Sequence, residues 1–178
     1  MERVHGLRLS VSATTRPMRA EEQEGRDYYF LSDQQFRDWV AEGRFLEWAE
    51  YAGHMYGTPA DPVQEMLEAG EDVILEIELK GAEQVLSLCP EALVIYIIPP
   101  SAEELERRLR GRKTESEQAV RRRMSRAREE IAAVEAKARV GLPPMHYVIV
   151  NDSANRASME LATIIETTRK QDEQTHSR

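Results

Sequence analysis

The sequence predicts an α/β fold built on a parallel sheet, and three observations carry that prediction. From Asp72 onward the pattern reads strand, helix, strand, helix, helix, strand, helix, the alternation that parallel sheets require. Ala92–Ile98 is a continuous apolar run stopped by Pro99-Pro100, as in a parallel strand covered on both faces. Leu7–Ser12 alternates at period two and reads as a further strand. A chain of 178 residues fits one domain with room for a subdomain.

Each element has a local reason. After Leu7–Ser12, Asp27–Ser32 reads as a second strand. Ser32 or Asp33 then caps a short helix with Phe36, Trp39 and Val40 on one face and Gly43 at its end. Phe45–Tyr51 is a strand and His54–Gly57 a short extension or turn. Thr58-Pro59 or Asp61-Pro62 opens a helix, since proline is tolerated in a first turn; Val63, Met66 and Leu67 form its buried face and Gly70 its stop. Asp72–Glu78 is a strand, Gly81–Leu88 a helix and Ala92–Ile98 a strand. Ser101 caps a helix with Leu105 and Leu109 inward, and Thr114–Glu117 is a capping-box pattern opening a long helix to about Arg139. Gly141–Pro144 is a linker, His146–Asn151 the last strand, Ser153–Lys170 the last helix and Gln171–Arg178 a polar tail.

Composition narrows the function classes. An apolar fraction of 41% supports a core, and 31% charged residues with no apolar run near membrane-spanning length argue against a bilayer protein. The start, Met1–Gly6, lacks the layout of a secretory signal, and the single cysteine, Cys89, suits a reducing compartment, so the cytoplasm is expected. The net charge is −8, unevenly spread: residues 101–140 hold 12 basic and 8 acidic side chains, residues 31–80 only 3 basic against 12 acidic. A nucleic-acid binder would show a basic balance with an aromatic platform. An acidic body with an Arg-rich segment better suits a small ligand with a phosphate at one end and amide-like donors at the other. Arg121–Arg123 splay around a helix balanced by nearby glutamates and read as a solvated surface. Cys89 reads as inert packing, Trp39 and Trp48 as core or pocket wall, and His5, His54, His146 and His176 give no metal-ligand spacing.

The chemistry concentrates in a few segments. Arg16 and Arg19, three residues apart on a turn after a strand, can converge on one phosphate, as planar guanidinium groups that stay charged. Glu47 sits between apolar neighbours on a strand. Glu76 and Glu78 share one side of a strand otherwise made of apolar residues, where a carboxylate is costly unless paired. Their partner is either a ligand donor or a salt bridge to Arg107, Arg108 or Arg112.

SVSATTRPMR, GRDYYF, FLEWAE, YGT, LEIE, PPSAEELERRLRGR and VIVND follow one another in the order and approximate spacing of guanylate kinases, and from about Leu7 to Ile165 the chain resembles that family. The resemblance implies a P-loop-kinase-like parallel sheet with a GMP-binding subdomain over about 13–70. A lid and long helix would lie over about 101–140, with 7–12 and 71–170 as the remaining core. It implies that Ser12, Glu47, Thr58 and Glu76 recognise guanine, and that Arg16, Arg19, Tyr28 and Tyr56 hold the GMP phosphate. Arg108, Arg112 and Arg123 resemble lid arginines that steady the phosphates in transfer. Glu78 would lie beside Mg²⁺, which arrives with ATP, and Asn151 on the adenine side. GMP and dGMP are the implied partners, with no nucleic acid or membrane.

The chain departs from the family in several places. No G-x-x-x-x-G-K-[ST] occurs in it, so the N-terminal strand and phosphate-binding loop are expected to be absent, and ATP to bind only if a donor site is supplied. Glu78 stands where Asp is usual, Lys80 where Gln is, and Lys113 where Gly is; Val134–Met145 is longer than the family's counterpart, its Gly141–Pro144 reading as a surface insertion. Two functions follow: ATP-dependent phosphorylation of GMP to GDP in purine nucleotide metabolism, with activity severely reduced in this chain, or a non-catalytic GMP-binding or protein-interaction module.

Overall fold

A computed structural model describes residues 4–51, 53–111, 117–143 and 145–176. The chain divides into two compact units, Met1–Ala92 and Leu93–Arg178.

In the first unit, β1 (Leu7–Leu9) pairs in parallel with β6 (Asp72–Ile74), Leu7 opposite Asp72. One more bond, Ser10 N–H to the Ile74 carbonyl at 2.9 Å, ends that pairing. The chain then enters a mixed four-stranded sheet in the order β3-β2-β5-β4, formed by β2 (Ala13–Thr14), β3 (Tyr29–Phe30), β4 (Phe45–Tyr51) and β5 (His54–Pro59). β2 runs parallel to β3 and antiparallel to β5, and β4–β5 is an antiparallel hairpin.

Helix α1 (Asp33–Ala41) takes Ser32 as its cap, the first of the two candidates. The Ser32 hydroxyl accepts from Gln35 N–H at 3.2 Å and the Gln35 side chain accepts from Ser32 N–H at 2.9 Å, a reciprocal cap. Gly43 follows the helix at φ 68°, a left-handed conformation that suits glycine. Fully buried Phe36 projects from α1 into a core with Ala13 and Met55, closed by Tyr29, Leu31, Trp39, Val40 and Phe45. Helices α2 (Ala60–Glu68) and α3 (Leu79–Leu88) complete the unit.

In the second unit, β7 (Val94–Ile98) and β8 (His146–Val150) pair in parallel, Val94 opposite His146. Helix α4 (Ala102–Gly111) carries Glu103 and Glu104 in its first turn and Arg108 and Arg110 in its last, the arrangement the helix dipole favours. The Ser101 hydroxyl accepts from Glu104 N–H at 3.2 Å, as its capping pattern predicts. Leu105 and Leu109 face a cluster with Val120 and Met124 of α5 (Glu117–Val140). The last helix, α6, spans Ala154–His176.

Several expectations are corrected. Strand Leu7–Ser12 stops at Leu9, because the chain leaves β6 after Ser10; the next strand, β2, begins only at Ala13. Asp27–Ser32 pairs only at Tyr29–Phe30. Of the two readings of His54–Gly57, the extension holds and the turn does not: it starts a six-residue strand, because β4 offers it a full ladder. Asp72–Glu78 ends as a strand at Ile74, where its partner β1 ends, so Glu76 and Glu78 do not share a strand face. Leu67 is 50% exposed, leaving Val63 as the buried residue of α2. Ile97 is 54% exposed, so β7 is not covered on both faces. Gln171–His176 continue α6, which a run of polar residues on a helix already begun does not prevent. The capping-box residues before Glu117 lie outside the described residues.

Candidate functional site

The four-stranded sheet has two unlike faces. One is buried on α1. The other carries most of the chemistry-bearing residues, and strand register puts them in rows. Glu47 stands opposite Thr58, and Ala13 opposite both Gly57 and Tyr29. Continuing those registers by one residue sets Ser12 between Thr58 and Tyr28. Tyr28, Ser12, Thr58 and Glu47 therefore form one row across four strands. Tyr56, two residues along β5 from Thr58, projects from the same face.

A bulge makes this possible. The register shifts between Phe45 and Glu47, so these residues, two apart, point to opposite faces. Phe45 stacks on Phe36 in the core, ring centroids 4.5 Å apart. Gly57 accommodates the shift: a methyl group there would lie 2.9 Å from the Glu47 carbonyl oxygen and 2.9 Å from the Phe45 ring.

At one end of the row, Glu47 is only 6% exposed. Its Oε1 accepts from the Thr58 hydroxyl at 2.7 Å. Burial raises the Glu47 pKa above the ordinary value, opposed by the hydrogen bonds from Thr58. The result is a desolvated carboxylate, an acceptor for paired N–H donors. β4 is an edge strand, and α3 covers that edge through Gln84, whose side chain accepts from Trp48 N–H at 3.2 Å and donates to the Trp48 carbonyl at 2.9 Å.

At the other end, Arg16 follows β2. Its guanidinium makes a two-pronged contact with Glu22, at 2.7 and 3.0 Å, with both side chains 14% exposed. The Glu22 carboxyl is held below its ordinary pKa, first by Arg16 and also by Arg19 N–H, which donates to it at 2.7 Å. The Arg16 guanidinium also lies 5.4 Å from the Tyr28 ring centre, and Tyr28 packs edge-on to Tyr56 at 6.2 Å. Burial, then Tyr56, raises the Tyr28 pKa, so its hydroxyl stays a hydrogen-bond donor at neutral pH. The Arg19 side chain, 68% exposed, reaches Glu22 at 3.7 Å.

The structure thus brings Ser12, Arg16, Tyr28, Glu47, Tyr56 and Thr58 to one sheet face, with Arg19 beside Glu22 in the loop after β2. Glu76 lies beyond β6, exposed, and contributes to the electrostatic environment of Tyr28. Glu78 caps the start of α3 without a side-chain bond to the helix backbone. In the second unit, Arg108 is bound to Glu104 at 2.7 Å, as is Arg107. These two arginines hold the Glu104 carboxyl down to about 2. Arg123 is half-buried on α5, and Asn151 extends the β7–β8 ladder by donating to the Ile98 carbonyl at 2.8 Å. Arg112 lies outside the described residues. Sequence reasoning missed Glu22 and Gln84. An acid three residues after Arg19 was a signal for Glu22; nothing local marks Gln84, whose partner is 36 residues away.

Comparison with known proteins bears on what this face is for. The family model described as guanylate kinase matches residues 2–168. The chain is 50% identical over 165 residues to a guanylate kinase of Rubrobacter xylanophilus, covering 93% of this chain and 82% of that protein. It is 49% identical over 159 residues to a guanylate kinase of Thermosynechococcus vestitus, covering 89% and 79%. The crystal structure of guanylate kinase from Anaplasma phagocytophilum superposes with a TM-score of 0.74 at 31% identity, covering 94% of this chain and 78% of that one.

Proposed function

The chain belongs to the guanylate kinase family, and on that footing we propose that it binds GMP along the Tyr28–Ser12–Thr58–Glu47 row for ATP-dependent phosphorylation to GDP, in the purine nucleotide metabolism of the cytoplasm. The observation that carries this reading is the buried Glu47 carboxylate at one end of a sheet face and the Arg16–Tyr28–Tyr56 cluster at the other. Guanine presents two adjacent donors, N1–H and the N2 amino group, which suit Glu47 and Glu76. Its O6 is an acceptor. The Thr58 hydroxyl proton is already given to Glu47, which leaves Ser12 as the hydroxyl free to donate to O6. Arg16, Arg19, Tyr28 and Tyr56 take the phosphate. Adenine presents a donor where O6 accepts, so its binding strands buried polar groups.

Residues 13–70 form the GMP-binding part, residues 101–140 the lid and long helix, and residues 7–12 with 71–170 the core. Phosphoryl transfer requires positioned phosphates and cationic stabilisation of their oxygens. Arg108, Arg112 and Arg123 are the lid cations for that role, and Asn151 serves the adenine side. Mg²⁺ enters with ATP. Magnesium is commonly held by one or two carboxylates together with substrate phosphates, and Glu78 is the carboxylate this chain offers. The 178 residues contain no G-x-x-x-x-G-K-[ST]. Loss of about three charge-assisted contacts, at roughly 1.5–3 kcal/mol each, predicts ADP formation by this polypeptide at least about a thousandfold below that of a loop-bearing relative. The second reading is a non-catalytic GMP-binding module with the same acceptor face.

Calorimetry tests the acceptor site: GMP and dGMP are expected to bind at least about a hundredfold more tightly than AMP or CMP. Equal affinity for AMP would refute the guanine assignment. A coupled assay on the same 178 residues separates the two readings, because robust GMP-dependent turnover excludes the binding module.

A further inference from the structure

Glycine is a poor residue inside a helix, since alanine there is favoured by both backbone entropy and propensity. Gly81 nevertheless occupies the first turn of α3, buried, and its environment gives a reason. A methyl group at Gly81 would overlap the Glu47 Oε2 atom and lie 3.0 Å from its Cδ and 3.4 Å from its Cγ. All three atoms belong to one side chain. The helix cannot retreat freely, because one turn later Gln84 fastens it to both polar backbone groups of Trp48. The strand cannot retreat either, since β4 is laddered to β5 from Phe45 to Tyr51. Only the carboxylate can yield, and to do so it must leave the Thr58 hydroxyl that it holds at 2.7 Å.

We propose that Gly81 is a positioning residue for guanine recognition, which it serves by leaving α3 bare where the helix crosses the Glu47 carboxylate. The proposal rests on the reading of Glu47 as a guanine acceptor. Gln84 sets the height of the helix, Gly81 leaves the space, and Thr58 orients the carboxylate within it. A substitution at Gly81 therefore acts at the base end of the ligand and leaves the phosphate cluster around Arg16 untouched.

A double-mutant cycle tests this with Gly81→Ala and Glu47→Ala, singly and together. Without ligand, Gly81→Ala is expected to lower the melting temperature in the parent chain. In the Glu47→Ala background it should raise it, because the overlap is gone and only the helix preference of alanine remains. With ligand, Gly81→Ala in the parent should weaken GMP and guanosine by the same factor, about 10- to 100-fold, the penalty of a side chain displaced by roughly an ångström. A Gly81→Ala chain that melts no lower than the parent and keeps its GMP affinity overturns the proposal. So does an equal loss of melting temperature in both backgrounds, which would make Gly81 a plain packing position. Should the Glu47→Ala chain not fold, Glu47→Asp gives the second background, since its carboxylate is drawn back by one methylene. There Gly81→Ala should lower the melting temperature less than in the parent, and an equal or larger loss overturns the proposal. The melting arm does not involve GMP. If Glu47→Ala leaves GMP affinity unchanged, the guanine reading has failed, while the reversal in melting temperature still decides whether Gly81 makes room for Glu47.

Discussion

The two ends of the site face hold their charges in opposite ways. At one end Glu47 is buried with a hydroxyl as its partner, so its charge is unbalanced and its pKa is driven up. At the other end Arg16 is already neutralised, with Glu22 bound to it through both carboxylate oxygens. The first is an acceptor short of donors, a state that a ligand with two adjacent N–H groups relieves. The second is a preformed cation whose orientation is held by a carboxylate, which a phosphate bound as proposed would share. On the proposed reading, selectivity belongs to the end where a wrong ligand leaves a buried charge unmatched, and the other end adds affinity to any nucleotide carrying a phosphate.

The largest expected effect breaks the base end. Glu47→Gln removes charge assistance toward two guanine donors and should weaken GMP by about 3 kcal/mol, more than a hundredfold. Guanosine should weaken in equal proportion. Calorimetry showing guanosine unaffected would place Glu47 at the wrong end. Next come Arg16→Ala and Arg19→Ala, each expected to weaken GMP by about 1.5–3 kcal/mol and guanosine hardly at all. Proportional losses for both ligands would make the arginines structural supports.

The smallest effect sharpens the contrast through pH. Burial raises the folded-state pKa of Glu47, so the stability it contributes is fully present below the ordinary glutamate value and is lost as pH rises through the raised one. Glu22 runs the other way. Its pKa is depressed by Arg16, so its contribution is present above the ordinary value and is lost as pH falls through the depressed one. Denaturant melts across the acidic range should show Glu47→Gln flattening the loss on the rising side and Glu22→Gln flattening the loss on the falling side. Matching slopes in the two variants would mean that the ends are not electrostatically distinct.

Much of this was legible in one dimension, wherever the deciding interaction is local. Ser32 and Gln35 are one helical turn apart, and α1 starts there. Phe45–Tyr51 reads as a strand and forms β4 over those seven residues. Motif order identified the family, which the comparisons bear out. Where a partner from far along the chain decides, the sequence misled. Asp72–Glu78 has the composition of a seven-residue strand, yet β6 stops at Ile74 because β1 supplies only three residues to pair with it. His54–Pro59 is the case of a near partner: it contains glycine and proline, and β4, only two residues earlier in the chain, still draws it into a six-residue strand.

The site divides in the same way. Residue types determined which groups could meet a nucleotide: two arginines three apart, a glutamate in an apolar strand, and tyrosines flanking both. Only the tertiary structure decided that Tyr28, Ser12, Thr58 and Glu47 fall in one row. It also decided that Phe45 and Glu47 part to opposite faces, and that a glycine of α3 leaves space above the carboxylate. The physical reason is that hydrophobic period and capping act over a few residues, so a sequence displays them directly. Register, a bulge and a close approach are set by steric fit between separate strands and helices, and no pattern within one segment encodes them.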